Sequence, residues 1–290
     1  MTPIRPPAPV DSAPAAKTLP GEADEAPAGV AVSPSQSELE SAPPKRDLFG
    51  IGVSAAEPGR VVDQIMHWVH ARRPAIVDFM AVHSLIVAVR DREHGRRMNA
   101  FDLVACDGQP MRWAMNRFHR ADLAERTYGP TAMLNVCRRC AAENVPVYLY
   151  GGTDEVLAKL QENLARLAPG LIVAGAESPP FRPLSDAEQA AAVGRMNDSG
   201  AGVVFLGIGC PKQEIFAHDH RDAVRAVQLC VGAAFNFHAG AVRQAPRWMQ
   251  DRGLEWLYRL AKEPRRLWKR YFVTNSIFVA LYLRRMVRGR

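Results

Sequence analysis

The chain of 290 residues is poor in the features that mark several large protein classes. It has no run of about 18 apolar residues, the length a membrane-spanning helix needs. The nearest stretch, Tyr271 to Leu283, is shorter and is broken by Thr274, Asn275 and Ser276. The N-terminus has no long apolar segment, so no secretory signal is expected. Cysteines number five, and the one C-x-x-C, Cys137 and Cys140, lies in a helical pattern without a second pair or suitably spaced histidines. Structural thiols in a reducing cytoplasm are therefore expected. From residue 47 onward there is no D-x-D; the nearest approach, Asp91-x-Glu93, falls in a helical pattern. Hard divalent cations want clustered carboxylates, so neither a metal nor another cofactor is expected. Walker spacing is missing, as is a G-x-G-x-x-G followed by an acidic residue about 20 positions on.

The net charge of +7 is concentrated at one end. Between Ala241 and Arg290 there are thirteen Lys/Arg against three Asp/Glu, so this segment carries +10 and the rest of the chain −3. Such a patch attracts phosphate, whether of a lipid, a nucleic acid or a diphosphate. Residues 1–46 hold ten of the 22 prolines and little periodic apolar signal, which predicts a disordered Ala/Pro-rich tail.

Beyond it, short apolar runs alternate with helical patterns. Strands are predicted at Ala75–Val82, Phe101–Cys106, Val145–Tyr150, Leu171–Ala174, Gly202–Ile208 and Val227–Gly232, apolar on both faces as buried parallel strands are. Helices are predicted near 58–72, 84–98, 109–118, 130–143, 154–167, 185–198 and 212–225. Pro130 suits a first helical turn, and Ser185 with Glu188 forms a capping-box pattern. The expected fold is α/β: a Rossmann-like, mostly parallel sheet with helices on both faces over 47–243. A basic helical appendage over 244–290, split at Pro264, follows it. In such sheets ligands sit beyond the carboxyl ends of the strands.

Four loops at those ends carry candidate chemistry. Asp107, in Cys106-Asp-Gly-Gln-Pro-Met111, follows a strand and opens a helix; it reads either as an N-cap or as a general base for a hydroxyl. Gly151 and Gly152 sit where a backbone could approach a phosphate at a helix N-terminus, or form a plain tight turn. Gly207, Gly209, Lys212 and Gln213, in Gly207-Ile-Gly-Cys-Pro-Lys-Gln-Glu214, form either an anion-binding turn or an ordinary helix start with solvated charges. His238, at the last strand's end, reads better as a structural than as a catalytic histidine.

The C-terminal stretch repeats Trp, Leu and Tyr near helical spacing beside Arg and Lys. This cationic, aromatic, amphipathic pattern suits a membrane interface, or a helix packed on the domain with a solvated basic face. Its arginines could also grip a diphosphate.

Taken together, Cys106–Met111, Arg126-Thr-Tyr-Gly-Pro130, Ser178–Leu184, Gly207–Glu214 and Gly253–Tyr271 resemble the WecG/TagA/CpsF glycosyltransferases. That family includes the teichoic-acid linkage-unit N-acetylmannosaminyltransferases and the enterobacterial-common-antigen N-acetylmannosaminuronic-acid transferases. The similarity spans about residues 48–275. It implies an inverting, metal-independent hexosyltransferase that moves a sugar from a UDP-sugar to a polyprenyl-diphosphate-linked sugar in bacterial exopolysaccharide or surface-glycan synthesis. Asp107 matches the family's base, and Gln213 matches a donor-side residue. Arg259, Arg266 and Arg270 match appendage arginines that close over the diphosphate. The resemblance also implies peripheral attachment to the inner face of the plasma membrane. Nucleic acid is not an expected partner, and homo-oligomerisation is left open. Two departures stand out: Phe79 and Ala81 replace a Thr-x-Asn, leaving His83 or Ser84 to substitute, and Asn236 replaces an Asp.

Two other readings compete with this one. The alternation also suits an NAD(P) oxidoreductase, although the dinucleotide fingerprint is missing. The basic tail suits a non-enzymatic module for membrane or nucleic acid, which would leave the strand-end residues unexplained.

Overall fold

The computed structural model describes residues 35–288. Most of the predicted tail, residues 1–34, lies outside them. Its last part is structured: α1 (Gln36–Glu40) is closed by a capping box between Ser35 and Glu38, and Lys45 begins a strand. That strand, β1 (Lys45–Leu48), pairs antiparallel with β2 (Ile51–Ser54). Four residues per strand leave too little alternation for this hairpin to be read from sequence.

Six parallel strands form the main sheet: β3 (Ala75–Met80), β4 (Leu103–Cys106), β5 (Val147–Gly151), β6 (Val173–Glu177), β7 (Val203–Gly207) and β8 (Val227–Cys230). Their order is β4-β3-β8-β7-β5-β6. Four of these are the predicted runs trimmed at their ends; β5 and β6 start two residues later than predicted and run on past the predicted ends, to Gly151 and Glu177. Side chains alternate between the faces, as the period of two demands. Val77, Leu103, Leu149, Phe205 and Leu229 pack beneath α2 (Pro58–His70), α6 (Gly129–Ala142) and α7 (Asp154–Leu167). Ile76, Val104, Tyr150 and Leu206 pack on the other face, against α3 (Val82–Arg90), α4 (Arg92–Ala100), α5 (Gln109–His119), α8 (Asp186–Asp198) and α9 (Lys212–Asp219). The two polar residues in central strands, Asp78 and Gln228, are buried and share the second set's parity.

The helix predicted near 84–98 is two helices. Asp91 ends α3 and accepts from the backbone N–H groups of Glu93 (2.9 Å) and His94 (3.1 Å), so it caps α4. The helix predicted to reach 225 stops at Asp219. A short α10 (Ala234–His238) follows β8.

The C-terminal segment is three helices: α11 (Arg247–Asp251), α12 (Glu255–Lys262) and α13 (Pro264–Arg288), the last two parted at Pro264 as expected. The long α13 turns back across α3. Phe278 is buried there, edge-on to Phe49 at 5.9 Å, and Arg285 Nη1 donates to the Asp47 carbonyl at 2.9 Å. Burying one such ring contributes about 1.5–3 kcal/mol, so the appendage is packed on the domain along its far end. Among the described residues no helix is long and apolar enough to cross a membrane.

Candidate active site

All six strands run the same way, so the loops after β3, β4, β5, β7 and β8 gather at one edge of the sheet. There they enclose a cleft of about 1410 Å³, roofed by α12 and α13. Single-ligand pockets commonly reach about 300–1,000 Å³; this one is larger. Asp107, Gly152, Gly207, Gly209, Lys212, Gln213, Arg259, Arg266 and Arg270 all line it. The carboxylate at 107 and the turn at 207–213 therefore face one space from opposite flanks of β8.

Asp107 extends the pairing of β3 and β4: its N–H donates to the Met80 carbonyl at 3.0 Å. The capping position of α5 is Gly108, so Asp107 does not cap that helix. Its carboxylate instead turns toward α6, where Oδ2 accepts from the Gly129 N–H at 3.2 Å. Arg126 Nη1 stands 3.5 Å from Oδ1. Burial pushes the Asp107 carboxyl up to about 7; Arg126 opposes this, Glu255 adds to it, and the Gly129 N–H and Arg259 oppose it further. A carboxyl that titrates near neutrality suits a general base, since it is ionised yet still basic.

Sequence reasoning quoted Arg126, Tyr128 and Glu255 inside motifs but gave them no role. The fold brings them together. Arg126 Nη2 donates to Glu255 Oε2 and to Gln250 Oε1, both at 3.1 Å, and Tyr128 Oη–H donates to Glu255 Oε1 at 3.0 Å. One guanidinium thus links Asp107 to two helices of the appendage. Arg126 and Glu255 are far apart in the chain, so no spacing could reveal the pair. The sequence signal was only that each lies inside a quoted motif, Arg126–Pro130 and Gly253–Tyr271.

The β7–α9 turn is held from within. Gln213 Oε1 accepts from the Gly209 N–H at 3.1 Å, and Gln213 Nε2 donates to Glu214 Oε1 at 3.0 Å. Gln213 is buried, whereas Lys212 is exposed at the rim. Behind this turn, on the α4 side, the ligand atoms of His94, Cys210 and Glu214 lie within 4.8 Å of one another.

Gly151 is the one predicted site residue that does not line the cleft. It is buried at the end of β5, and a Cβ built on it would stand 2.5 Å from the Gly207 carbonyl carbon. The absent side chain there lets β5 and β7 approach. Its neighbour Gly152 does face the cleft, and its carbonyl accepts from Ser178 Oγ at 2.8 Å. Ser178 thereby anchors Pro179–Leu184, which lines the mouth with Phe181 78% exposed.

Arg259 lies over the Phe237 ring at 5.6 Å, with a buried Nε that has no hydrogen-bond partner among the described residues. Arg266 is paired with Glu263 at 2.7 Å. Neither Arg259 nor Arg270 has a carboxylate partner among the described residues. Unspent guanidinium donors of this kind suit a phosphate. The two departures from the resembled pattern also fall on the cleft: Phe79, Ala81, His83, Ser84 and Asn236 all line it. Burial, and then Arg270, bring His83 down to about 4, so it is neutral at physiological pH; its Nδ1 and Ser84 Oγ are buried without hydrogen-bond partners among the described residues. His238 is structural: its ring Nε2 meets the Pro130 carbonyl at 2.8 Å and burial disfavours its charged form.

The family model described as "Glycosyl transferase WecG/TagA/CpsF family" matches residues 46–290.

Proposed function

The chain belongs to the WecG/TagA/CpsF family of glycosyltransferases, and from that premise we propose an inverting hexosyltransferase that takes a sugar from a UDP-sugar and places it on a polyprenyl-diphosphate-linked sugar. Membership of this family sets aside the oxidoreductase and binding-module readings. The observation that carries the proposal is the shared cleft, with a near-neutral carboxylate at Asp107 on one flank and unpaired arginines from the appendage on another.

The donor diphosphate would lie against the 207–213 turn and the N-terminus of α7, with Arg259 and Arg270 closing over it. Donors aimed at the departing diphosphate stabilise the charge that develops there. This cationic set does the work that a carboxylate-bound cation does in other sugar transferases. Asp107 would take the proton of the acceptor hydroxyl as that oxygen attacks the anomeric carbon from the face opposite the leaving diphosphate. One C–O bond forms as one breaks, and the configuration inverts. His83 and Ser84, with spare polar atoms just beyond Phe79 and Ala81, which replace the resembled Thr-x-Asn, would meet the sugar.

The acceptor implies a bilayer. Trp248, Trp268, Phe272 and Leu283 are each more than half exposed on the appendage, beside its basic residues. Aromatic and cationic groups together suit the interface, which supports docking on the inner leaflet of a bacterial plasma membrane during exopolysaccharide or surface-glycan synthesis. Thermal shift with UDP-, GDP- and dTDP-sugars, followed by turnover with a short-chain polyprenyl-diphosphate sugar, tests the proposal. Stabilisation by UDP-sugars and product formation are expected. Stabilisation by a different nucleotide class, or turnover on free sugars alone, would overturn it.

A further inference from the structure

Three polar side chains, His94 and Glu214 buried and Cys210 partly so, meet behind the β7–α9 turn with hydrogen-bonding capacity unused. His94, on α4, is 1% exposed, and neither of its ring nitrogens has a hydrogen-bond partner among the described residues. A neutral imidazole always carries one N–H donor and one acceptor, so both capacities are idle. Glu214, on α9, is also 1% exposed; its Oε1 accepts from Gln213, but its Oε2 has no hydrogen-bond partner among the described residues. Cys210 is a free thiol. Buried polar groups are normally paired, and an orphan calls for an explanation such as water or an ion.

We propose that His94, Cys210 and Glu214 form a zinc site that ties α4 to the β7–α9 turn. The three ligand atoms lie within 4.8 Å of one another. Atoms no farther apart than this share a point within about 2.8 Å of each, and zinc bonds of about 2.0–2.3 Å to N, O and S need only a contraction of about half an ångström. A mixed N, S, O set suits zinc; calcium and magnesium would want oxygen alone. A fourth position is available to water or to Asp78, a buried carboxylate beside Glu214 whose Oδ2 is likewise unpartnered. The ligands come from separate segments, which is why no C-x-x-C or His spacing announces them.

His94 does not line the cleft, whereas Cys210 and Glu214 do. The ion therefore sits behind the turn, where it braces Glu214, through it Gln213, and through Gln213 the Gly209 N–H. It is a structural ion and leaves the diphosphate to the arginines. Its existence does not depend on the proposed transferase reaction.

The test uses full-length protein without a histidine tag, stripped with chelator and then loaded with zinc or cobalt(II). One zinc per chain is expected by mass spectrometry. The cobalt form should show a thiolate-to-metal charge-transfer band that disappears in Cys210→Ser. His94→Asn should weaken zinc binding by more than about tenfold. Circular dichroism checks that each variant folds; if one does not, the other variant and the wild-type cobalt spectrum decide. The site is refuted if wild-type protein retains no stoichiometric metal, or if cobalt gives no thiolate band. It is equally refuted if both variants bind zinc as the wild type does. Donor binding is read separately by thermal shift with UDP-sugars, so loss of the metal site and loss of the transferase reading give different results.

Discussion

Asp107 and Glu255 share one guanidinium, that of Arg126, at 3.5 Å and 3.1 Å from its two terminal nitrogens. The first carboxylate ends a strand of the sheet and the second belongs to the appendage. The electrostatics of Asp107 therefore depend on where the appendage sits.

If Asp107 is the base, Asp107→Asn should lower kcat by about 10²–10⁴ and leave the donor affinity close to wild type. Steady-state turnover and isothermal titration with the UDP-sugar measure the two separately. Undiminished turnover would assign the proton to another group.

The pH profile follows from the same carboxyl. A base must be ionised, so kcat should climb with pH through about 7 and level off above it. Glu255→Gln removes a charge that raises Asp107 and should move this limb to lower pH. Arg126→Gln removes the strongest opposing charge and should move it higher. Stability runs the other way. The folded state holds this proton above the unfolded value of about 3.9, so ionising Asp107 makes the protein less stable as pH rises from about 4 to about 7.

Arg259 and Arg266 should not weigh equally. Arg259 has an unpartnered buried Nε, whereas Arg266 is paired with Glu263 and 65% exposed. Arg259→Ala should weaken the UDP-sugar by roughly 1.5–3 kcal/mol, the worth of a hydrogen bond to a charged group. Arg266→Ala should cost the donor less, because its guanidinium is already engaged. Equal losses in donor Kd would mean that the appendage shifts on binding.

Gly151→Ala should act on stability. The new methyl would meet the Gly207 backbone at 2.5 Å, on a residue with φ of +131°. Overpacking of this kind costs roughly 1–3 kcal/mol, to be read by urea denaturation. A variant of unaltered stability with a raised donor KM would instead restore Gly151 to the binding surface.

Membrane docking predicts that the double variant Trp268→Ala, Phe272→Ala loses more than about tenfold in affinity for anionic vesicles, since the two rings are 57% and 71% exposed. Vesicle co-sedimentation reads this, and the remaining binding should weaken with salt.

Much of the molecule was legible in order along the chain. Apolar runs such as Val203–Leu206 announced buried parallel strands, because a strand covered on both faces needs apolar residues at every position. Ser185 and Glu188 announced a helix start, and the structure has that capping box. Such signals are local, and the forces behind them act within a few residues. The direction of the sheet then made the strand-end loops converge, so nearly every predicted site residue reached one cleft. What sequence could not supply were relationships across distance. Arg126 meets Glu255, His94 meets Cys210 and Glu214, and Gly151 turns its bare Cα to β7 where a ligand was expected. Pairing and burial are decided by packing: only the closed tertiary structure sets which charges lose their water and which groups remain to satisfy them.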